Sequence, residues 1–362
     1  MRDIKAAVVR QAGGPFSIEN LQLDDPRPDE IIVRIVATGM CHSDLVAKEQ
    51  LWPVALPVVL GHEGAGIVEQ IGSAVEHVAV GDPVVLTFNS CGRCHSCEDG
   101  HKAYCSRFGM LNASGAREDG SGTLGSGVHG CFFYQSSFAT FALAHARNVV
   151  KVRADAPLEV LGPLGCGIQT GAGAVLNVLK PSASHSFAVF GAGAVGLSGM
   201  LGAKILGCQT IIVVDRVASR LQLARELGAT HVIDAGSEDA VEAIRALGGV
   251  DMCLEASGVP AVAAQAVRSL RDRGTCALVG AYPPGSTIPL DISELAPGKV
   301  IRQIVEGDVD PHLFIPELIE HLLAGQLPLE RLVRMYTLDQ INEAAEDSMS
   351  GRTIKPIIRM TH

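Results

Sequence analysis

Residues 187–215 read FAVFGAGAVGLSGMLGAKILGCQTIIVVD. An apolar run at 187–190 enters Gly191-Ala192-Gly193-Ala194-Val195-Gly196, a helix-compatible segment follows, and a second apolar run at 211–214 ends on Asp215. A bare G-x-G-x-x-G says little in a chain with 40 glycines. Its context says more: a strand precedes it, a helix follows, and an acidic residue stands 19 positions after Gly196. Gly191 then permits the tight turn, Gly193 lets the main chain approach a pyrophosphate, and Gly196 lets helix and strand pack closely. The helix N-terminus turns free N–H groups toward negative phosphate. Asp215 accepts from ribose hydroxyls and repels a 2′-phosphate, which favours NAD over NADP. Arg216 and Arg220 soften that preference, because an arginine can accommodate the extra phosphate.

Outward from this stretch the pattern alternates. Further apolar runs occur at 231–233, 250–254, 276–279 and 300–304. Between them Leu221, Ala224 and Leu227 share a helical face that stops at Gly228, and Val241, Ile244 and Leu247 share one that stops at Gly248. Six strands alternating with helices predict an α/β fold with a doubly wound parallel sheet. Beyond 305 come helical patterns at 314–324 and 338–349 and an apolar strand at 354–358. The first 90 residues differ: β-branched runs at 31–36, 66–71 and 84–87 predict an antiparallel, barrel-like unit. Residues 112–130, rich in Gly and Ser, read as an exposed loop.

A length of 362 residues suits about two or three domains. With 47% hydrophobic and 19% charged residues the chain is too apolar for disorder, and a net charge of −10 argues against a nucleic-acid partner. The charge-free stretches 160–179 and 185–203 are interrupted by glycines, the first also by Pro163, and do not read as membrane spans. No secretory signal is visible at the N-terminus, so the expected location is cytoplasmic.

Ten cysteines are many for such a compartment, where structural disulfides are rare. Four of them form Cys91-x2-Cys94-x2-Cys97-x7-Cys105, a span able to close a tetrahedral zinc site. The bacterial iron–sulfur run continues C-x3-C-P, whereas here the last gap is seven residues and Ser106 follows. A closed four-thiolate site has no room for substrate, so its role is structural. Arg93, Lys102 and Arg107 lie near enough in sequence to offset its charge. A second set is dispersed: Cys41, His62 and Cys166. Each alone reads as a small buried residue or an ordinary histidine. Their settings, Cys41-His42-Ser43-Asp44, Gly61-His62-Glu63-Gly64 and Gly165-Cys166-Gly167, suggest a metal. Two thiolates, an imidazole and Zn²⁺ sum to zero formal charge and leave one open position for a bound oxygen. A metal-bound histidine usually gives its second N–H to a carboxylate, and Asp44 is the candidate. Cys131, Cys208, Cys253 and Cys276 read as small buried residues.

These motifs, with Val279-Gly280, resemble the zinc-dependent alcohol dehydrogenases of the medium-chain dehydrogenase/reductase superfamily along essentially the full length. The resemblance implies a GroES-like β-barrel catalytic domain from residues 1–168 and 305–362, with a structural zinc lobe at about 91–105. A Rossmann NAD-binding domain at 169–304 is inserted in it. It implies one catalytic and one structural Zn²⁺ per chain, NAD, a small-molecule alcohol or aldehyde substrate, and a homodimer or homotetramer. Ser43 would receive the alcohol proton, Glu63 would sit behind the catalytic zinc, and Thr170 would line the nicotinamide pocket. His42 and Lys355 would meet the pyrophosphate, Arg220 the adenosine ribose, and the Val279 main chain the nicotinamide amide. One departure is Val46, which stands where many members carry a histidine that completes the proton relay. The stretches 133–141, 305–324 and 351–357, together with Val46, look like the aryl-alcohol (benzyl alcohol) branch. Trp52, the only tryptophan, reads as a pocket wall or a core aromatic. The competing activities are a thiol-dependent formaldehyde dehydrogenase and an aliphatic alcohol dehydrogenase. A zinc-free enone or quinone reductase is disfavoured by the three dispersed ligands, and a non-catalytic NAD-binding protein would need a disabled site.

Overall fold

Apolar runs become parallel strands in Gly167–Val309, one of two units into which the computed structural model divides the chain. The other unit joins Met1–Cys166 to Asp310–His362, and residues 1–361 are described. The six strands lie in the spatial order His231–Asp234, Thr210–Asp215, Ser186–Phe190, Val250–Glu255, Leu270–Leu278, Val300–Gln303. Numbered by occurrence this is 3-2-1-4-5-6, so the order reverses beside Ser186–Phe190, at whose C-terminal end the glycine loop leaves the sheet. The central strand Ser186–Phe190 is buried at every position, as a strand with layers packed on both faces is; Phe187 and Phe190 are fully buried. Four of the six apolar runs fall within these strands, and those at 276–279 and 300–304 extend one residue past theirs. Helix Ala218–Leu227 ends at Gly228, whose φ of 117° takes the left-handed turn that the C-terminus needs. Helix Ala240–Ala246 stops short of Leu247, which is 45% exposed and does not join Val241 and Ile244 in the core. The chain there turns on Gly248 and Gly249, both at positive φ.

In the other unit a seven-stranded sheet is centred on Glu30–Gly39. This strand pairs antiparallel with Glu63–Ile71, with Gly39 opposite Glu63, and with Lys355–Arg359, with Gly39 opposite Ile357. That register brings Cys41, Glu63 and Lys355 to one end of the sheet although they are far apart in sequence. The hairpin Arg2–Val9 with Phe16–Leu23 forms a second, smaller sheet that the sequence patterns did not indicate. Residues 112–130 are not wholly exposed as their composition suggests: Arg117 and Thr123 are buried. The cause is Arg117, whose Nε donates to buried Glu30 at 2.7 Å and whose Nη1 donates to Asp24 at 3.0 Å. Cys131, Cys208, Cys253 and Cys276 are all buried. Among the described residues no helix is long and apolar enough to cross a membrane.

Near the C-terminus helix Ile341–Met349 is tied to strand Val333–Thr337 through Asp347. Its carboxylate accepts from Tyr336 Oη at 2.7 Å, Arg334 Nη1 at 2.9 Å and Arg352 Nε at 2.7 Å. The Tyr336 hydroxyl and the Arg352 guanidinium hold this carboxyl below the usual aspartate range. A depressed folded pKa stabilises above the unfolded value, near 4, and that contribution disappears as pH falls through the lower folded value. Asp347→Asn is therefore expected to lower the urea midpoint at pH 7, with the gap to the parent closing below about pH 4. A gap that stays constant from pH 7 to 3 refutes the assignment.

Candidate metal and dinucleotide sites

Cys41 caps the N-terminus of the short helix His42–Lys48. Asp44, fully buried, takes the Cys41 N–H on Oδ2 at 2.9 Å. Its Oδ1 accepts the Gly61 N–H at 3.0 Å and lies 2.8 Å from His62 Nδ1. One carboxylate thus joins the two segments that carry Cys41 and His62. It also fixes the imidazole tautomer: Nδ1 carries the proton and Nε2 the lone pair. His62 Nε2 is buried and has no hydrogen-bond partner, a costly state for a polar atom unless a metal takes it. The ligand atoms of Cys41, His62, Glu63 and Cys166 all lie within 4.8 Å of one another. Two thiolates and an imidazole suit zinc, and the orphaned nitrogen among them completes the fit.

Glu63, behind this group, is fully buried, and burial pushes its carboxyl up against the downward pull of the Lys355 ammonium. Lys355 is placed differently from the pyrophosphate role expected of it. It is 2% exposed, and its Nζ donates to Glu63 Oε1 and Oε2, each at 2.9 Å, and to Met40 O at 3.2 Å. An ammonium has three protons, and these contacts engage all of them. Glu63, buried beside it, would be left as an uncompensated charge without this ammonium, which accounts for where Lys355 points. His42 is exposed on the first turn of its helix, and Ser43 Oγ lies 4.0 Å from Cys41 Sγ.

Cys91, Cys94, Cys97 and Cys105 form the second cluster. Cys97 Sγ lies 3.9 Å from Cys91 Sγ and 3.5 Å from Cys94 Sγ. Tetrahedral zinc with bonds of about 2.3 Å needs sulfurs about 3.8 Å apart, so these thiols already stand at ligand spacing. The N–H groups of Cys91 and Arg107 point at Cys105 Sγ from 3.3 and 3.4 Å, as donors to a thiolate do.

In the other unit Gly191 has φ of 98°, and a Cβ on Gly196 would lie 1.8 Å from Gly191 O, so neither position admits a side chain. A Cβ on Gly193 would meet nothing within 4 Å, which leaves that main chain open to a ligand at the start of helix Ala194–Ile205. Asp215 Oδ2 accepts the Ala192 N–H at 2.7 Å, and Oδ1 accepts those of Arg216 and Val217 at 2.8 and 2.9 Å. The acidic residue is thereby fastened to the glycine loop while Oδ2, with a single donor, keeps a lone pair. Arg220 Nε is buried without a hydrogen-bond partner. Thr170 Oγ1 reaches Glu306 Oε2 at 3.4 Å, and the Val279 N–H donates to Glu255 O at 2.9 Å. Sequence reasoning missed Phe133 and Gln135, whose contacts with His62 depend on an unusual backbone bend that no residue type announces.

Two family descriptions match the chain: "Alcohol dehydrogenase GroES-like domain" over residues 27–154 and "Zinc-binding dehydrogenase" over 194–319. The chain is 46% identical to a geraniol dehydrogenase of Castellaniella defragrans, over 98% of this chain and 97% of that one. The crystal structure of benzyl alcohol dehydrogenase from Acinetobacter calcoaceticus is similar with a TM-score of 0.97 at 49% identity, covering 100% of both chains. An alcohol dehydrogenase zinc-binding domain protein from Burkholderia ambifaria is similar at 0.98 and 54%, again over 100% of both. Sequence, metal-ligand geometry and these likenesses agree that the chain belongs to the zinc-dependent alcohol dehydrogenases of the medium-chain dehydrogenase/reductase superfamily, enzymes that work with zinc and NAD.

Proposed function

We propose that the chain oxidises benzyl-type primary alcohols to aldehydes, reversibly, with Cys41, His62 and Cys166 holding the catalytic zinc. When bound, zinc polarises the alcohol oxygen and NAD⁺ accepts the hydride. Asp44 holds His62 in the tautomer that presents Nε2, and Ser43 Oγ receives the alcohol proton. Val46 carries no titratable group, so the proton leaves Ser43 by water or by a group other than this position. Thr170 and the Val279 main chain orient the nicotinamide. The glycine loop with the helix N-terminus holds the pyrophosphate, and Asp215 with Arg220 holds the adenosine ribose. Cys91, Cys94, Cys97 and Cys105 hold the structural zinc.

The observation that carries the substrate class is aromatic. Trp52 lies edge-on to Phe132 and Phe133, with ring centroids at 6.0 and 5.9 Å, and both phenylalanines lie against His62. Phe132 and Phe133 are buried and back the half-buried Trp52, and a planar, unsaturated substituent on the carbinol carbon suits that ring. The similar benzyl alcohol dehydrogenase supports this reading. The geraniol dehydrogenase relative favours a second one, an allylic terpenoid alcohol, which shares a CH₂OH group on an unsaturated carbon.

Burying about 100 Å² more apolar surface than ethanol does is worth about 2.5 kcal/mol, or roughly 60-fold. Initial rates with NAD⁺ are therefore expected to give benzyl alcohol a kcat/KM roughly 60-fold above ethanol. Geraniol ahead of benzyl alcohol selects the allylic reading. Ethanol equal to both removes the unsaturated class altogether, and dependence on added glutathione points to the thiol-adduct formaldehyde reaction.

A further inference from the structure

Within residues 131–136 four non-glycine residues adopt left-handed backbone: Cys131, Phe133, Tyr134 and Ser136, at φ of 58, 50, 50 and 47°. L side chains resist this conformation, and it persists where surrounding contacts over-determine it, often beside a functional group. The surroundings here are the turn that carries His62. Phe133 stacks face to face on the imidazole, with centroids 4.4 Å apart and 23° between the planes. Phe132 meets the same ring edge-on at 5.5 Å and 81°. Gln135, buried, donates Nε2–H to His62 O at 3.0 Å and Thr87 O at 3.2 Å, and its Oε1 accepts the Gly64 N–H at 3.1 Å. The Ser137 N–H donates to Gly61 O at 2.9 Å and the Phe138 N–H to Leu60 O at 3.0 Å.

The glycines around His62 and Glu63 make this approach possible. A Cβ on Gly61 would lie 2.5 Å from Phe138 N, and one on Gly64 would lie 2.9 Å from Ser137 Cβ. Asp44 holds Nδ1, but a single hydrogen bond leaves the imidazole free to tilt about its axis and swing Nε2 away from the two thiols. A ring stacked on the imidazole face opposes that tilt.

We propose that residues 131–138 form a clamp on the metal-ligating turn, in which Phe133 and Gln135 are positioning residues for His62: Phe133 sets the tilt of the imidazole and Gln135 anchors its main chain. The proposal rests on the reading above that His62 ligates the catalytic metal. It differs from a role of Phe133 as a substrate wall, because it concerns the metal's coordination geometry whether or not an alcohol is present.

The test exchanges cobalt(II) into the catalytic site of the full chain and records its ligand-field absorption without substrate. Phe133→Leu is expected to shift and broaden the bands and to lower kcat about 10-fold, the lower end for residues that orient a metal ligand, at unchanged KM for NAD⁺. Phe133→Tyr, which keeps a ring in the stack, restores the parent spectrum. Gln135→Glu sets an acceptor against two carbonyls and shifts the bands with Phe133 intact, so the test survives if Phe133→Leu does not fold. Parent bands and kcat in Phe133→Leu and Gln135→Glu overturn the clamp, whether the variants lose only thermal stability or raise only the alcohol KM. A parent chain that takes up no cobalt beyond the four-cysteine lobe overturns the metal reading and the clamp together. Bands present in the parent and unmoved in the variants overturn the clamp alone.

Discussion

His62→Ala is expected to lower kcat/KM for alcohol oxidation by at least about 10³-fold and to leave the purified chain with one zinc in place of two. A factor of 10³ corresponds to about 4 kcal/mol, within what a Lewis acid contributes by stabilising developing charge on oxygen. The particular leverage of His62 comes from its surroundings. Its Nε2 is the buried orphan among the ligand atoms, and its Nδ1 is committed to Asp44. Removing the imidazole leaves only the two thiols of Cys41 and Cys166 to hold the metal, because both Glu63 oxygens are engaged by Lys355. It also strips Asp44 of one of the groups that join the Cys41 and His62 segments. The zinc that remains belongs to Cys91, Cys94, Cys97 and Cys105, whose spacing does not depend on His62. Metal analysis by mass spectrometry, read beside initial rates, checks both halves. Two zinc per variant chain, or a rate within about 10-fold of the parent, removes His62 from the ligand set.

What the sequence made legible follows from how local each signal is. The parallel sheet was readable because its strands carry short apolar runs, two intervening helical patterns stop at Gly228 and Gly248, and the glycine loop fits between the first two strands. The four-cysteine lobe was readable because its ligands lie within fifteen residues. Cys41, His62 and Cys166 were legible only through their neighbours, since the strand register that assembles them has no one-dimensional trace. Composition misled at residues 112–130, where Arg117 turns inward to meet Glu30, 87 positions away. The bend at Phe133 was invisible for a different reason: positive φ in a phenylalanine is imposed by tertiary contacts, not by propensity. The destination of Lys355 belongs to the same class, because its partner lies 292 residues away.

That partnership yields the largest stability effect. Lys355→Met is expected to destabilise the unit built from both chain ends by about 3–5 kcal/mol, because it strands the Glu63 carboxylate in the interior. Glu63 is fully buried and both its oxygens are engaged by Lys355 Nζ, each at 2.9 Å. Burial opposes the charge on Lys355, and Glu63 outweighs it, so the pair holds the lysine above its ordinary pKa. In the single variant the carboxylate must stay charged without a counter-ion or take up a proton, and either choice costs. At roughly 2–4 °C per kcal/mol for a unit of this size, the thermal midpoint is expected to fall by about 10 °C. The double variant Glu63→Gln, Lys355→Met separates the cost of an unpaired charge from lost packing. A neutral amide beside a methionine removes both charges at similar volume, so it recovers most of the loss. Recovery in the double variant makes charge pairing the cause. If the double variant melts no higher than the single, the loss comes from packing around the lysine stem. If the single variant melts within about 2 °C of the parent, the ion pair contributes little and Lys355 is free for the phosphate role that the sequence suggested.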